Sequence, residues 1–70
     1  MNYLLRILSS EGGYKERTHA LYGHIEDMYW YVRKKCNVGE VIHIYEEGDF
    51  IETVIRQDDE VKRIARKMML

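Results

Sequence analysis

Proline is absent from this chain and cysteine occurs once, at Cys36. A single thiol excludes an intrachain disulfide, and no Cys/His group stands at zinc-binding spacing, so two usual staples of very small proteins are missing. Long apolar runs are missing too. The stretch "MNYLLRIL" is broken by Arg6 and nothing approaches the length of a membrane span, which predicts a cytoplasmic protein with no membrane partner. An excess of one charge is also lacking: eleven Lys and Arg against twelve Asp and Glu leave a net −1, with no global pull on nucleic acid. What the chain does have is 46% hydrophobic and 33% charged residues, the balance of a folded domain. Its 70 residues predict a single α+β domain, 1–70. A core of this size supplies only about 3 to 5 kcal/mol, so self-association, as a homodimer, is the expected source of further burial.

Residues 2–9, "NYLLRILS", suit a strand, and "SSEGGYKE" reads as a loop. Between about Thr18 and Cys36, Leu21, Ile25, Met28 and Val32 recur at helical spacing, with Asn37 and Gly39 as the stop. The stretch "VIHIYEEGDFIETVIR" is a hairpin signal around Glu47-Gly48. Beyond it, Asp58 reads as the cap of a closing helix with an apolar stripe of Val61, Ile64, Ala65 and Met68. The predicted order is β-α-β-β-α, a three-stranded sheet in the order 1-3-2 with both helices on one face. It resembles a ferredoxin-like fold lacking its last strand. In that arrangement Arg33, Lys34 and Lys35 should approach Asp58, Asp59 and Glu60, while Glu46, Glu47 and Asp49 should approach Arg63, Arg66 and Lys67.

Candidate interaction residues follow from surfaces left over. Three consecutive rings, Tyr29, Trp30 and Tyr31, cannot share one helical face, and the wheel turns Trp30 outward. Gly23, inside the expected helix, would cost about 1 kcal/mol relative to alanine and suggests a packing reason beside Trp30. A two-residue Glu47-Gly48 turn, or a four-residue one of the same parity, sets Tyr45 opposite Phe50, Ile44 opposite Ile51 and His43 opposite Glu52. It collects Val41, His43, Tyr45, Phe50, Glu52 and Val54 on one face and the core-facing Ile42, Ile44, Ile51, Thr53 and Ile55 on the other. The first strand adds Leu4 and Leu8 around Arg6. With both helices on the other face this patch has no cover, which predicts a protein partner or a second copy, and the free edge of the sheet offers the same opportunity.

Chemistry is sparsely represented. "SSEGGYK" lacks the spacing of a phosphate-cradling loop, His19 and His24 do not converge, and Cys36 sits where three cations and a helix C-terminus pull its thiol in opposite directions. No catalytic, cofactor-binding or metal-ligating set emerges, and a non-enzymatic interaction module is expected. The alternative is single-stranded nucleic acid stacking on Tyr45 and Phe50 with charge from Arg6 and Arg56, although "DFIETVIR" lacks the usual RNA-recognition strand pattern.

Overall fold

A computed structural model describes residues 1–9 and 15–66. Its elements are β1 (Asn2–Ser9), β2 (Lys15–Tyr22), α1 (Ile25–Lys35), β3 (Val41–Glu46), β4 (Asp49–Arg56) and β5 (Val61–Arg66). They form one five-stranded sheet in the order β2-β1-β3-β4-β5, every neighbouring pair antiparallel, with α1 over one face. The expected β-α-β-β-α chain with a three-stranded 1-3-2 sheet and two helices is therefore wrong. The described helix is not long and apolar enough to cross a membrane.

Two segments account for the difference. Residues 15–22 belong to a strand that pairs with β1 over its whole length, from Asn2 opposite Tyr22 to Ser9 opposite Lys15. Leu21 misled the periodicity because it packs against the core from β2 as it would have from a helix. The second error is the closing helix. Residues 57–60 make a reverse turn, Gln57 N–H donating to the Glu60 carbonyl at 2.8 Å, so the acids at 58–60 serve a turn instead of a helix cap. After the turn, pairing with β4 supplies the backbone partners that a helix would have supplied internally. Met68 and Lys67, like residues 10–14 of the expected loop, lie outside the described residues.

The helix begins later than expected. Asp27 accepts a hydrogen bond from the His24 N–H at 2.8 Å, closing the first turn on itself. Gly23 precedes this helix, and a Cβ there would stand 2.6 Å from the Asp27 carboxylate. That approach is the packing reason for the glycine. The start of β1 and the end of β2 also meet here, with Gly23 N–H donating to the Met1 carbonyl at 3.0 Å.

The core lies between α1 and one sheet face. Met28 and Val32 descend onto Leu5 and Ile7 of β1, Ile42 and Ile44 of β3, and Val54 of β4, all essentially inaccessible. The β3–β4 turn has two central residues, Glu47 and Gly48, both at positive φ, 49° and 90°. A glutamate is unusual in that conformation. Asn2 holds it, accepting from the Glu47 N–H at 2.9 Å while the Asn2 N–H donates to the Glu47 carboxylate at 2.7 Å.

Candidate interaction surfaces

The expected pairing of Tyr45 with Phe50 is present, but immediately beyond it the ladder slips. Ile44 faces Glu52, leaving Ile51 as the extra residue of a β-bulge, and His43 faces Thr53 instead of Glu52. One inserted residue exchanges the faces of everything after it. Glu52 and Val54, expected beside Tyr45 on the uncovered face, are buried under the helix. Thr53 and Ile55, expected in the core, pair with His43 and Val41 on the opposite face.

That opposite face has no described element over it. Phe50 stands edge-on to both Tyr45 and His43, at ring-centroid distances of 5.8 and 6.2 Å. His43 Nδ1 lies 2.7 Å from Thr53 Oγ1, which anchors the cluster from below. β1 contributes Leu4, 39% exposed, and Leu8, with Arg6 between them. Val41 and Ile55 continue the patch as half-buried aliphatics. The cation at its centre is already engaged: Arg6 Nε donates to Glu16 at 2.5 Å and its Nη1 to the Tyr45 hydroxyl at 3.3 Å. These bonds raise the Arg6 pKa and lower that of Glu16, Arg6 being the principal cause of the latter.

Trp30 is 52% exposed on the solvent side of α1, as the wheel predicts. Tyr31 turns instead toward β2, stacking on His19 with centroids 4.8 Å apart, and Tyr29 turns toward β4 and β5. Gly23 belongs to the helix entry and is not part of a groove inside it.

Among the described residues two carboxylates are buried: Glu52, a candidate expected on the uncovered face, and Glu40, which nothing in the sequence distinguishes from a solvated acid. Glu52 accepts from the Tyr29 hydroxyl and from Arg63 Nε at 2.6 Å, joining α1, β4 and β5. Burial, and then the Glu52 contact, push the Tyr29 phenol up. Arg63 lies between two clefts of about 330 and 310 Å³. The first gathers Arg33 with Asp59 and Glu60, and the second gathers Glu46 with Arg63 and Arg66. Of the expected neighbourhoods of charge, Arg33 with Asp59 and Glu60 and Glu46 with Arg63 and Arg66 are the members these clefts bring together, with a strand supplying what a helix was expected to supply. Glu40 is the other acid, held by Arg17 through bonds of 2.7 and 3.0 Å and by the Asn37 N–H at 2.6 Å. The Arg17 contact is the first cause of its lowered pKa, the Asn37 N–H adds to it, and burial opposes them.

A depressed carboxylate stabilises the fold fully above the unfolded glutamate value, about 4.3, and ceases to do so as pH falls through the lower folded value. Denaturant midpoints measured from pH 7 to pH 3 should therefore decline in the parent and decline less steeply in Glu40→Gln. Parallel declines would show that the Arg17 pair contributes nothing to acid sensitivity. Cys36 lies next to this pair, and burial pushes its thiol up to about 11, so helix-end burial outweighs the neighbouring cations. Among the described residues no group of His, Cys, Asp and Glu is placed to hold a metal ion.

No protein-family model, curated protein or solved structure matches the chain.

Proposed function

We propose that this chain is a non-enzymatic interaction module whose working surface is the sheet face opposite α1, and that the first occupant of that face is a second copy. The observation that carries this reading is the Tyr45–Phe50–His43 cluster, flanked by Leu4, Leu8, Val41 and Ile55, on a face with no described element above it. Apolar sheet left in water forgoes about 25 cal/mol for each Å² that could be buried, and the described residues, whose one helix lies on the other face, offer no second layer here. A copy fits better than an arbitrary partner because the patch carries little unbalanced charge. Arg6 is neutralised by Glu16, so two such faces can meet about a two-fold axis without opposing free cations.

The same bookkeeping disfavours nucleic acid, which would stack on the same rings but needs Arg6 free for phosphate. Light scattering coupled to size exclusion tests the reading. The parent mass should exceed that of one chain, and Tyr45→Ser with Phe50→Ser should halve it. A mass that ignores both substitutions would remove the face contact. Affinity for a mixed-sequence single strand that falls steeply with salt would assign the face to nucleic acid instead.

A further inference from the structure

The two edges of the sheet are built differently. β5 carries the devices by which proteins discourage edge pairing: Lys62, Arg63 and Arg66 on a six-residue strand, and a bulge where Thr53 faces Ala65 but Val54 faces Arg63, leaving Ile64 extra. β2 has neither. It is eight residues long, its ladder with β1 runs without a register shift, and its residues from Glu16 to Ala20 are exposed. Two of its charges are spent inside the chain, Glu16 on Arg6 and Arg17 on Glu40, as Arg63 of β5 is on Glu52, and the rest of the strand, Thr18 to Tyr22, carries no fixed charge.

From this contrast we infer that β2 is a second self-association site, at which two copies add edge to edge, antiparallel, into one continuous sheet of ten strands with both helices on the same side. A two-fold axis normal to the sheet centres such pairing on a single residue, which faces its own copy. Centred on Thr18, Arg17 faces His19 and Glu16 faces Ala20. Centred on His19, Arg17 faces Leu21, Glu16 faces Tyr22 and Thr18 faces Ala20. Centred on Ala20, His19 faces Leu21 and Thr18 faces Tyr22. None of these alignments opposes two like fixed charges. On β5, a centre at Lys62, Arg63 or Arg66 sets a cation against itself and a centre at Ile64 sets Lys62 against Arg66 twice, which leaves Ala65 as the one interior centre without like charges opposed. On β2 the corresponding failures are confined to Lys15, Glu16 and Arg17 at one end. Like charges directly opposite destabilise a ladder, so a second copy is accepted along Thr18 to Ala20 of β2 and disfavoured along most of β5.

This inference rests on the edges, and its test is run with the aromatic face already disabled by Tyr45→Ser and Phe50→Ser. In the full chain carrying Tyr45→Ser and Phe50→Ser, the scattering mass should still be two chains. Adding Thr18→Lys and Ala20→Lys, at exposed positions, should halve it, because each alignment then opposes two lysines. The corresponding Thr18→Glu and Ala20→Glu protein should also run as one chain, and an equimolar mixture of the lysine and glutamate proteins should return to two. A one-chain mass before the charges are introduced overturns the edge contact while leaving the face contact standing. A two-chain mass that persists with the lysines, or a mixture that stays at one chain, overturns it as well.

Discussion

Leu5→Ala should cost about 3 to 5 kcal/mol, whereas Leu4→Ala, one residue away, should cost less than about 1 kcal/mol. Leu5 has no accessible surface, faces His19 and Ile44 across its two ladders, and belongs to the cluster beneath Met28 and Val32. Its truncation leaves a cavity that rigid strands on both sides cannot close. Leu4 points to the other face and is 39% exposed, so most of its side chain loses nothing on removal. A domain of this length has a net stability of roughly 3 to 10 kcal/mol, so the first substitution alone takes much of it. Urea midpoints at unchanged slope are the measurement. Equal losses at a concentration where the chain is monomeric would mean that both sheet faces are packed within the monomer, and would remove the argument for an uncovered face along with the assignment of Leu5. A Leu4 loss that grows with protein concentration belongs to the face contact.

The pattern that makes this prediction possible was partly legible in the sequence. Alternation in "NYLLRILS" marks β1, the stripe of Ile25, Met28 and Val32 marks α1, and the Glu47-Gly48 turn fixes where β3 meets β4. The outermost strands were not legible, and for a common reason. β2 and β5 are edges exposed along most of their length, so neither needs strict alternation, and "KERTHALY" and "VKRIAR" carry the charged residues that also suit helices. Their strand state is imposed by the neighbours β1 and β4, which is tertiary information. The faces of β4 were lost to a single residue. No sequence rule marks Ile51 as the extra member of a bulge, yet that insertion moves Glu52 and Val54 into the core and turns Thr53, itself buried, and Ile55 to the opposite face. A buried glutamate in a core strand contradicts hydrophobic patterning, and only the convergence of Tyr29 and Arg63 on it explains why it is tolerated there.

The second large effect follows from that convergence. Glu52→Ala should destabilise the fold by about 2 to 3 kcal/mol, and Arg63→Ala by about 1 kcal/mol or less, although both remove the same ion pair. The asymmetry comes from what each truncation leaves behind. Without Glu52, the Tyr29 hydroxyl loses its acceptor in a half-buried site and a hole opens beside Ile44, its cross-strand neighbour. Without Arg63, whose side chain is 47% exposed, Glu52 keeps the Tyr29 donor and the cleft admits water to the freed oxygen. Glu52→Gln should fall between the two, since an amide oxygen still accepts from one donor while its NH₂ meets the other donor unfavourably. Because Arg63, together with Val61, fastens β5 to the body of the domain, amide exchange should separate the cases further. Arg63→Ala should speed exchange in β5 with little change in β1 and β3, whereas Glu52→Ala should speed it throughout the sheet. Equal midpoints for the two variants would show that Glu52 is solvated and that the bulge does not turn it inward.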